Sequence, residues 1–343
     1  MTLAPYTRAQ LGEARAAQAL AVRARLLQAG ITLPAWIDAY PGRLQHLIGD
    51  CAADPPLSQS ARALALWHGK TLVLGLGALG LAAGGAALTL VAREAAVADE
   101  LRRRLSEALM TTVRVERVPP TWPSRPAQVL ALDPRRSWVV PAELLDRAGS
   151  ALQGQPAHAL ITVAGAVARP QVVTLHPGQT PEELLRLCGG ATTSAWVPLG
   201  GWPVRRCEPD QPLPPGESLL LVLPAGHSLV LRLRDAAPPA ALTSGCAGCA
   251  LCTQACPSAD AALRPHLWMA GLAPRESTTA CSGCGACDAV CPSGLLPGLW
   301  TQRAAAGLPP PRGSAFPKEA SPSAPPIPLS LVTAAYGLSS YGG

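Results

Sequence analysis

Cys246-Ala-Gly-Cys249-Ala-Leu-Cys252-Thr-Gln-Ala-Cys256-Pro257 and Cys281-Ser-Gly-Cys284-Gly-Ala-Cys287-Asp-Ala-Val-Cys291-Pro292 spell one pattern twice, Cys-x₂-Cys-x₂-Cys-x₃-Cys-Pro. Short gaps let successive backbone turns aim three sulfurs at one centre, while the fourth cysteine, followed by proline, leaves the loop. This is the spacing of cubane [4Fe–4S] clusters. Structural zinc commonly uses two separated cysteine pairs or mixes in histidine, and a disulfide framework belongs to small secreted chains. Neither describes a repeated 2-2-3 spacing in a chain of 343 residues that begins Met-Thr-Leu-Ala-Pro-Tyr, with no basic and then apolar leader. The thiols therefore imply a reducing compartment, and a cytoplasmic location is expected.

In two-cluster ferredoxins the fourth cysteine of each run serves the other cluster. That rule assigns Cys246, Cys249, Cys252 and Cys291 to one cluster, and Cys281, Cys284, Cys287 and Cys256 to the other. Gly248, Gly283 and Gly285 keep side chains away where backbone N–H groups approach the inorganic sulfides. Cys51, Cys188 and Cys207 lack ligand spacing and read as small buried hydrophobes.

The length predicts two or three domains, and 48% apolar residues suffice for their cores. The net charge of +6 comes almost wholly from arginine, with lysine only at Lys70 and Lys318. No basic block is interleaved with aromatics, so nucleic acid is not an expected partner. Arg102 to Arg104 read as the solvated face of a helix. Thr71 to Ala92 is uncharged and long enough to span a bilayer. Its Gly84-Gly85 pair and β-like Leu88-Thr-Leu-Val91 end predict a helix, a turn and a buried strand, and no membrane span.

The first half alternates helix and strand patterns: helices over Arg8–Gln28, from Ser60, over Ala95–Leu109 and Pro141–Leu152, with strands at Ala87–Ala92, Thr112–Val118 and Val129–Leu132. Trp122–Pro126 reads as loop. Gly75-Leu-Gly77-Ala-Leu-Gly80 matches G-x-G-x-x-G after a strand-like Thr71–Leu74, with Glu94 beyond it. Only a very short helix could follow before Gly84, whereas a dinucleotide unit needs a full crossover helix. These glycines read as helix-packing positions.

From Ala159 the pattern becomes β-rich, with strands across Leu160–Pro170, Val172–Leu175 and Ser218–Pro224. Thr180-Pro-Glu-Glu183 predicts a capping box opening a helix that ends at Gly189-Gly190. Leu308–Pro328 is a Pro, Ser and Ala-rich linker. The apolar segment Leu329–Leu338 beyond it reads as a disordered remnant, or alternatively as a docking peptide.

Ile161-Thr-Val-Ala-Gly165-Ala-Val-Ala-Arg-Pro170 and Glu183-Leu-Leu-Arg-Leu-Cys-Gly189-Gly190, followed by Leu223-Pro-Ala-Gly-His227 and the cysteine runs, resemble the RnfC/PduS-like family. That family joins the RnfC component of the Rnf electron-transport complex with the cobalamin reductase PduS. Cys-x₂-Cys-x-Leu-Cys-Thr253 and Arg264-Pro265-His266 look closer to the PduS branch. The resemblance, strongest over Gln155–Arg303, implies an α+β multidomain chain. Its parts would be a degenerate α/β domain like the 51-kDa subunit of complex I (1–154), a β-grasp SLBB module with following strands (155–235), a two-cluster ferredoxin-like domain (236–306), and a linker with a tail peptide (307–343). Family members bind a flavin in the first domain. Here its glycine-rich loop should fall at Gln28-Ala-Gly30-Ile-Thr-Leu33-Pro34, where only Gly30 and Pro34 survive. Its Glu-x-Glu-Pro stretch should fall at Ala52–Pro56, where both glutamates are missing. FMN is therefore not expected to stay bound, and no residue is assigned to it.

The expected function is relay of single electrons through two [4Fe–4S] clusters to a partner redox protein, which would be a flavoprotein, a ferredoxin or a corrinoid enzyme. The alternative is an FMN-dependent NAD(P)H:cobalamin or ferredoxin reductase. No general acid, base or nucleophile stands out, so no catalytic residue is assigned. Trp268 and Trp300 follow the two motifs at comparable distances and are expected to shield the clusters, while His227 and His266 are expected to be structural. By the same resemblance, a bacterial microcompartment is a candidate location and the tail a candidate shell or cargo contact.

Overall fold

The computed structural model describes residues 8–40, 42–52, 56–122, 126–201, 204–234, 246, 249–256, 264–269, 281, 283–292, 295–305, 327–336, 338 and 340. The chain forms two compact units. One comprises residues up to 53, 61–119 and 125–158, and the other 54–60, 120–124 and everything from 159.

The first half runs α1 (Arg8–Gln28), α2 (Ala35–Ala39), β1 (His46–Asp50), α3 (Ser60–Trp67), α4 (Gly69–Ala82), β2 (Ala87–Ala92), α5 (Ala95–Glu107), β3 (Arg114–Arg117), β4 (Thr121–Trp122), α6 (Pro126–Val129), β5 (Ser137–Pro141) and α7 (Ala142–Gln153). In the first unit the order β3-β2-β1-β5 is parallel throughout, with Gly49 opposite both Leu90 and Val140. α5 buries Val97, Ala98, Leu101 and Leu105. Its opposite face carries Arg102, Arg103 and Arg104 in ion pairs with Asp99, Glu100 and Glu107, the solvated face expected of this arginine cluster.

Thr71–Leu74, strand-like by residue type, lies inside α4, and the whole G-x-G-x-x-G run is helical with it. The reason is contact with α7. A Cβ on Gly75 would sit 1.9 Å from the Leu145 carbonyl oxygen, and one on Gly149 would sit 2.0 Å from that of Thr71. The two helices touch backbone to backbone, so glycine is required at both places. Among the described residues no single helix is long and apolar enough to cross a membrane. α3 and α4 reach that length only together, across a 96° bend.

Val129–Leu132 is not a strand. Pro126 opens α6, and Leu132 N–H returns to the Ala127 carbonyl past Ala131 in the left-handed region (φ 53°). This turns Leu130 and Leu132 onto Ile48, Ala52 and Val91. Part of the expected Trp122–Pro126 loop is also strand, since Trp122 ends β4.

The second half runs β6 (Leu160–Gly165), β7 (Gln171–Thr174), α8 (Pro181–Leu187), β8 (Trp196–Gly200), β9 (Arg205–Arg206), β10 (Leu219–Pro224), α9 (Ser228–Arg234), α10 (Leu251–Gln254), α11 (Pro265–Met269), α12 (Ala286–Ala289), α13 (Pro297–Ala305), β11 (Ile327–Pro328) and α14 (Leu329–Ala335). Its sheet, ordered β7-β6-β10-β8-β9, is antiparallel except for the central β6–β10 pair. β10 is apolar throughout because both of its faces are covered. Leu220 and Val222 pack with Leu184, Leu185 and Cys188 beneath α8. Leu219, Leu221 and Leu223 face Leu229, Val230, Ala255, Ala286, Val332 and Tyr336. The capping box forms: Glu183 N–H donates to Thr180 Oγ1 at 3.2 Å and Thr180 N–H to Glu183 Oε2 at 3.0 Å.

The segment from Leu329 is neither a remnant nor free. It is helical, and Val332, Tyr336 and Leu338 are buried in the core shared by the sheet and the cysteine-bearing helices. The preceding β11 pairs antiparallel with β4. An apolar stretch beside an open apolar face of its own chain gains more from packing there than from remaining in water. The linker expected over Leu308–Pro328 lies outside the described residues up to position 326.

Candidate metal centre

The two cysteine runs share one backbone. In each, the residue after the second cysteine is left-handed, Ala250 at φ 57° and Gly285 at φ 71°, and it opens a four-residue helix carrying the third cysteine. Thr253 N–H then donates to the Ala250 carbonyl at 3.0 Å, and Asp288 N–H to the Gly285 carbonyl at 3.0 Å. The fourth cysteine closes the turn, Cys256 N–H to Thr253 O at 3.1 Å and Cys291 N–H to Asp288 O at 3.4 Å. The left-handed step turns the chain between the second and third cysteines of each run. It is easy for Gly285 and strained for Ala250.

Cys252 gathers neighbours from both runs. Burial, followed by the charges of Cys291, Cys246 and Cys249, pushes its thiol up to about 12. Cys287 is pushed well up by burial, then by Asp288, Cys284, Cys252 and Cys256. Cys281 is raised mainly by burial, with Cys284 close by and the Gly283 N–H opposing the shift. Cys252 thus feels the charge of Cys291 from the other run, and Cys287 feels those of both Cys252 and Cys256. Thiols crowded in this way release protons to a cation that neutralises them. Leu295 N–H donates to Cys291 Sγ at 3.4 Å. A Cβ on Gly298 would lie 2.8 Å from Cys287 Sγ, so this side of the sulfur is shaped by glycine. The donor set fits iron–sulfur clusters: all eight are thiols, flanked by backbone N–H groups. Among the described residues no three His, Cys, Asp or Glu side chains converge on a single metal ion.

Further residues frame the cysteines. Thr253 Oγ1 lies 2.5 Å from His266 Nδ1, both buried, which ties α10 to α11 and gives His266 the structural role expected of it. Burial, together with the charge of Arg264, holds that imidazole below its ordinary value. His227 Nδ1 accepts from Leu229 N–H at the start of α9. Trp300 is buried in α13, while the side chain of Trp268 lies outside the described residues, as does Gly248. Asp288 and Tyr336 could not be singled out from sequence. An aspartate between two cysteines and a tyrosine in an apolar tail carry no spacing that links them, yet the Tyr336 hydroxyl donates to Asp288 Oδ2. Cys51, Cys188 and Cys207 are buried, and burial pushes the thiols of Cys188 and Cys207 up, as inert core positions require.

The flavin loop has a different use. Gly30, at φ 69°, ends α1: its N–H donates to Leu27 O at 2.9 Å, and Ile31 N–H to Leu26 O at 2.8 Å. This is a Schellman cap with Ile31 packed beside Leu26. Both amides that could face a phosphate are consumed by the helix end. The adjoining hollow, about 210 Å³, is lined by Leu26, Leu27, Ile31 and Leu33, with Arg23 paired to Asp38 at 2.8 Å. It is smaller than ordinary ligand pockets. The residues at this loop do not fit a flavin phosphate.

No family model matches the chain. Two chains of NAD+-reducing [NiFe]-hydrogenase are similar in structure. That of the H2-reduced state has a TM-score of 0.55 at 14% identity, covering 86% of this chain and 64% of its own. That of the air-oxidized state has a TM-score of 0.53 at 16% identity, covering 92% and 66%. At such identities the likeness concerns the fold alone. In sequence, 114 residues are 37% identical to cobalamin reductase PduS of Salmonella typhimurium and 36% identical to that of Citrobacter freundii, taking in 31% of this chain. The matched part is only a quarter of each relative's length (25%), and over it this chain is PduS-like.

Proposed function

We propose that this chain is an iron–sulfur electron-transfer component holding two [4Fe–4S] clusters. One would be bound by Cys246, Cys249, Cys252 and Cys291, the other by Cys281, Cys284, Cys287 and Cys256. The observation that carries this reading is the turn repeated in both runs, a left-handed residue after the second cysteine that opens a four-residue helix bearing the third, with the Cys252 thiol feeling the charges of Cys291, Cys246 and Cys249 beside it in support. When bound, the clusters supply one-electron transfer. The cysteines hold them and backbone N–H groups steady the sulfurs. Buried Trp300 and the apolar core around Ala255 and Ala286 keep water away.

In this reading the mixed sheet with its capped helix α8 is an SLBB β-grasp module, the cysteine-bearing helices form a ferredoxin-like domain, and the parallel-sheet unit is a 51-kDa-like scaffold. The named activity of its relatives makes a corrinoid, or the protein that carries it, the electron acceptor of choice. The second reading, an FMN-dependent NAD(P)H:cobalamin or ferredoxin reductase, draws support from the fold likeness to NAD+-reducing hydrogenase. The capped Gly30 loop speaks against it.

Cofactor analysis of anaerobically purified protein tests both. About eight irons and eight acid-labile sulfides per chain, no flavin, and dithionite-reducible EPR signals are expected. One flavin per chain would turn the assignment to the reductase, and one zinc per site would sink the cluster reading.

A further inference from the structure

Asp288 directly follows Cys287 and is 2% exposed. A carboxylate so deeply buried is costly unless its oxygens are satisfied. Here Oδ1 accepts from Gly298 N–H at 2.5 Å, at the start of α13, and Oδ2 accepts from the Tyr336 hydroxyl, beyond α14. Burial and the Asp288 charge hold the Tyr336 phenol in its protonated, donating form.

Three kinds of contact therefore seat the last segment on its own chain. β11 pairs with β4 through Ile327 opposite Trp122 and Pro328 opposite Thr121. Val332, Tyr336 and Leu338 enter the apolar core, and Cys284, Ala289 and Val290 pack against that same core. The Tyr336 hydroxyl reaches the residue beside Cys287. In the first run the equivalent residue, Thr253, is anchored to His266 within its own half. The second run recruits the end of the chain instead. The two runs also differ in access position by position: Cys249 is exposed where its counterpart Cys284 is half-buried, and Cys252 is half-buried where its counterpart Cys287 is buried.

Building on the two-cluster reading, we propose that the last segment, through its described residues 327–336 and 338, is a resident cover for the cluster of Cys281, Cys284, Cys287 and Cys256. The Tyr336–Asp288 hydrogen bond is the latch that positions Cys287 beneath it. The cover excludes water and small oxidants from this cluster and leaves the other one more open. Solvent exposure is among the factors that set cluster potentials, so the cover makes the two clusters inequivalent.

The test uses full-length protein, counted for iron first. Val332→Asn places an amide in the apolar seat and raises the undocked fraction on the order of tenfold to hundredfold. Tyr336→Phe removes only the latch donor. Three quantities are read: chymotrypsin cleavage within the segment, the bleaching rate with ferricyanide as one-electron oxidant, and the potential of each cluster by EPR-monitored titration. The second-run cluster is identified as the one retained in Cys249→Ser.

Val332→Asn is expected to speed cleavage by the same factor, because cleavage follows the open population, and to speed bleaching of the second-run cluster alone. Tyr336→Phe, which leaves Asp288 Oδ2 short of a donor, is expected to shift the potential of that cluster and to speed cleavage as well. The proposal is overturned if cleavage rises while both clusters keep their rates and potentials, if both clusters change equally, or if the wild-type segment is cut as fast as that of Val332→Asn. Should Val332→Asn fail to fold, an unchanged potential in Tyr336→Phe overturns it. An iron count near four or zero would instead defeat the two-cluster reading, while cleavage would still report whether the segment is docked.

Discussion

The three glycines of the G-x-G-x-x-G run should rank in an order that no nucleotide-binding loop would give. A Cβ on Gly75 would lie 1.9 Å from the Leu145 carbonyl oxygen and 2.8 Å from its carbon. Both are backbone atoms of α7 and cannot swing aside. α4 and α7 would have to part by about 1 Å, which in a close-packed interior costs about 1–3 kcal/mol or more. The helical preference of alanine over glycine returns about 1 kcal/mol of that. Gly75→Ala should therefore lose up to about 2 kcal/mol or more, a drop of up to roughly 8 °C in the melting temperature of a unit of this size. Gly77 meets only the mobile end of Met110, Cε at 3.3 Å, so Gly77→Ala should be neutral or stabilising by up to about 1 kcal/mol. Gly80 faces Leu88 Cδ2 at 2.7 Å, a side chain that can turn, and should fall between the two. In a dinucleotide loop the middle glycine is the one the pyrophosphate approaches, which would make Gly77 the sensitive position. Thermal unfolding followed by far-UV circular dichroism reads all three, and a Gly77→Ala loss equal to that of Gly75→Ala would refute the packing argument.

Crossed ligation predicts which paired cysteine replacements share a cluster. Cys246→Ser with Cys291→Ser should keep about four irons, and Cys246→Ser with Cys256→Ser should lose nearly all; the opposite result would mean uncrossed ligation. Thr180→Ala removes the hydroxyl of the capping box and should cost about 1 kcal/mol in chemical denaturation, whereas Thr180→Ser should recover most of it. His68 stacks on His158 with ring centroids 3.5 Å apart, and His158 Nδ1 lies 2.7 Å from Asp146. Burial first, and His158 second, hold the His68 imidazole below its ordinary value, with Asp146 opposing. Its contribution to stability is therefore present above the unfolded value of about 6.5 and lost as pH falls through the lowered folded one. The melting temperature should fall between pH 7 and pH 5, and His68→Phe should flatten that slope; parallel slopes would dismiss the role of His68.

Local rules carried much of the fold. The α1 range, the β2 strand and the Thr180 cap were legible because each follows from periodicity or from one hydrogen-bonding side chain. What escaped depended on distant partners. β1, with its Gly49, and β8, with its Pro198, carry weak strand propensity and are strands because neighbours pair with them. Thr71–Leu74 has β-branched residues yet is helical, because Gly75 lets α7 approach. Of the candidate site, the spacing of the eight cysteines and the two matching turns that spacing implies are legible in the sequence. Gly30 looked like the last trace of a flavin loop and proves to be a helix terminator, a role sequence alone could not separate from phosphate binding since both use a left-handed glycine. Asp288 and Tyr336 were illegible, being joined only after the chain has folded back over 48 positions.

The second unit borrows two short pieces from early in the chain. Ser58 and Ser60 donate hydroxyls to the Ser218 carbonyl, and Gln59 N–H donates to Thr162 Oγ1. β4 in turn waits for β11. On the ribosome, Ser58 and Ser60 emerge some 160 residues before their acceptor at Ser218, so they pass through synthesis with those hydrogen bonds unmade. Loops of that span close slowly. A fragment cut at residue 159 would carry all eight cysteines and still lack both pieces. The cysteine-bearing half is thus contiguous in its cysteines but not in its architecture, and a nascent or truncated chain would present those cysteines against an incomplete wall.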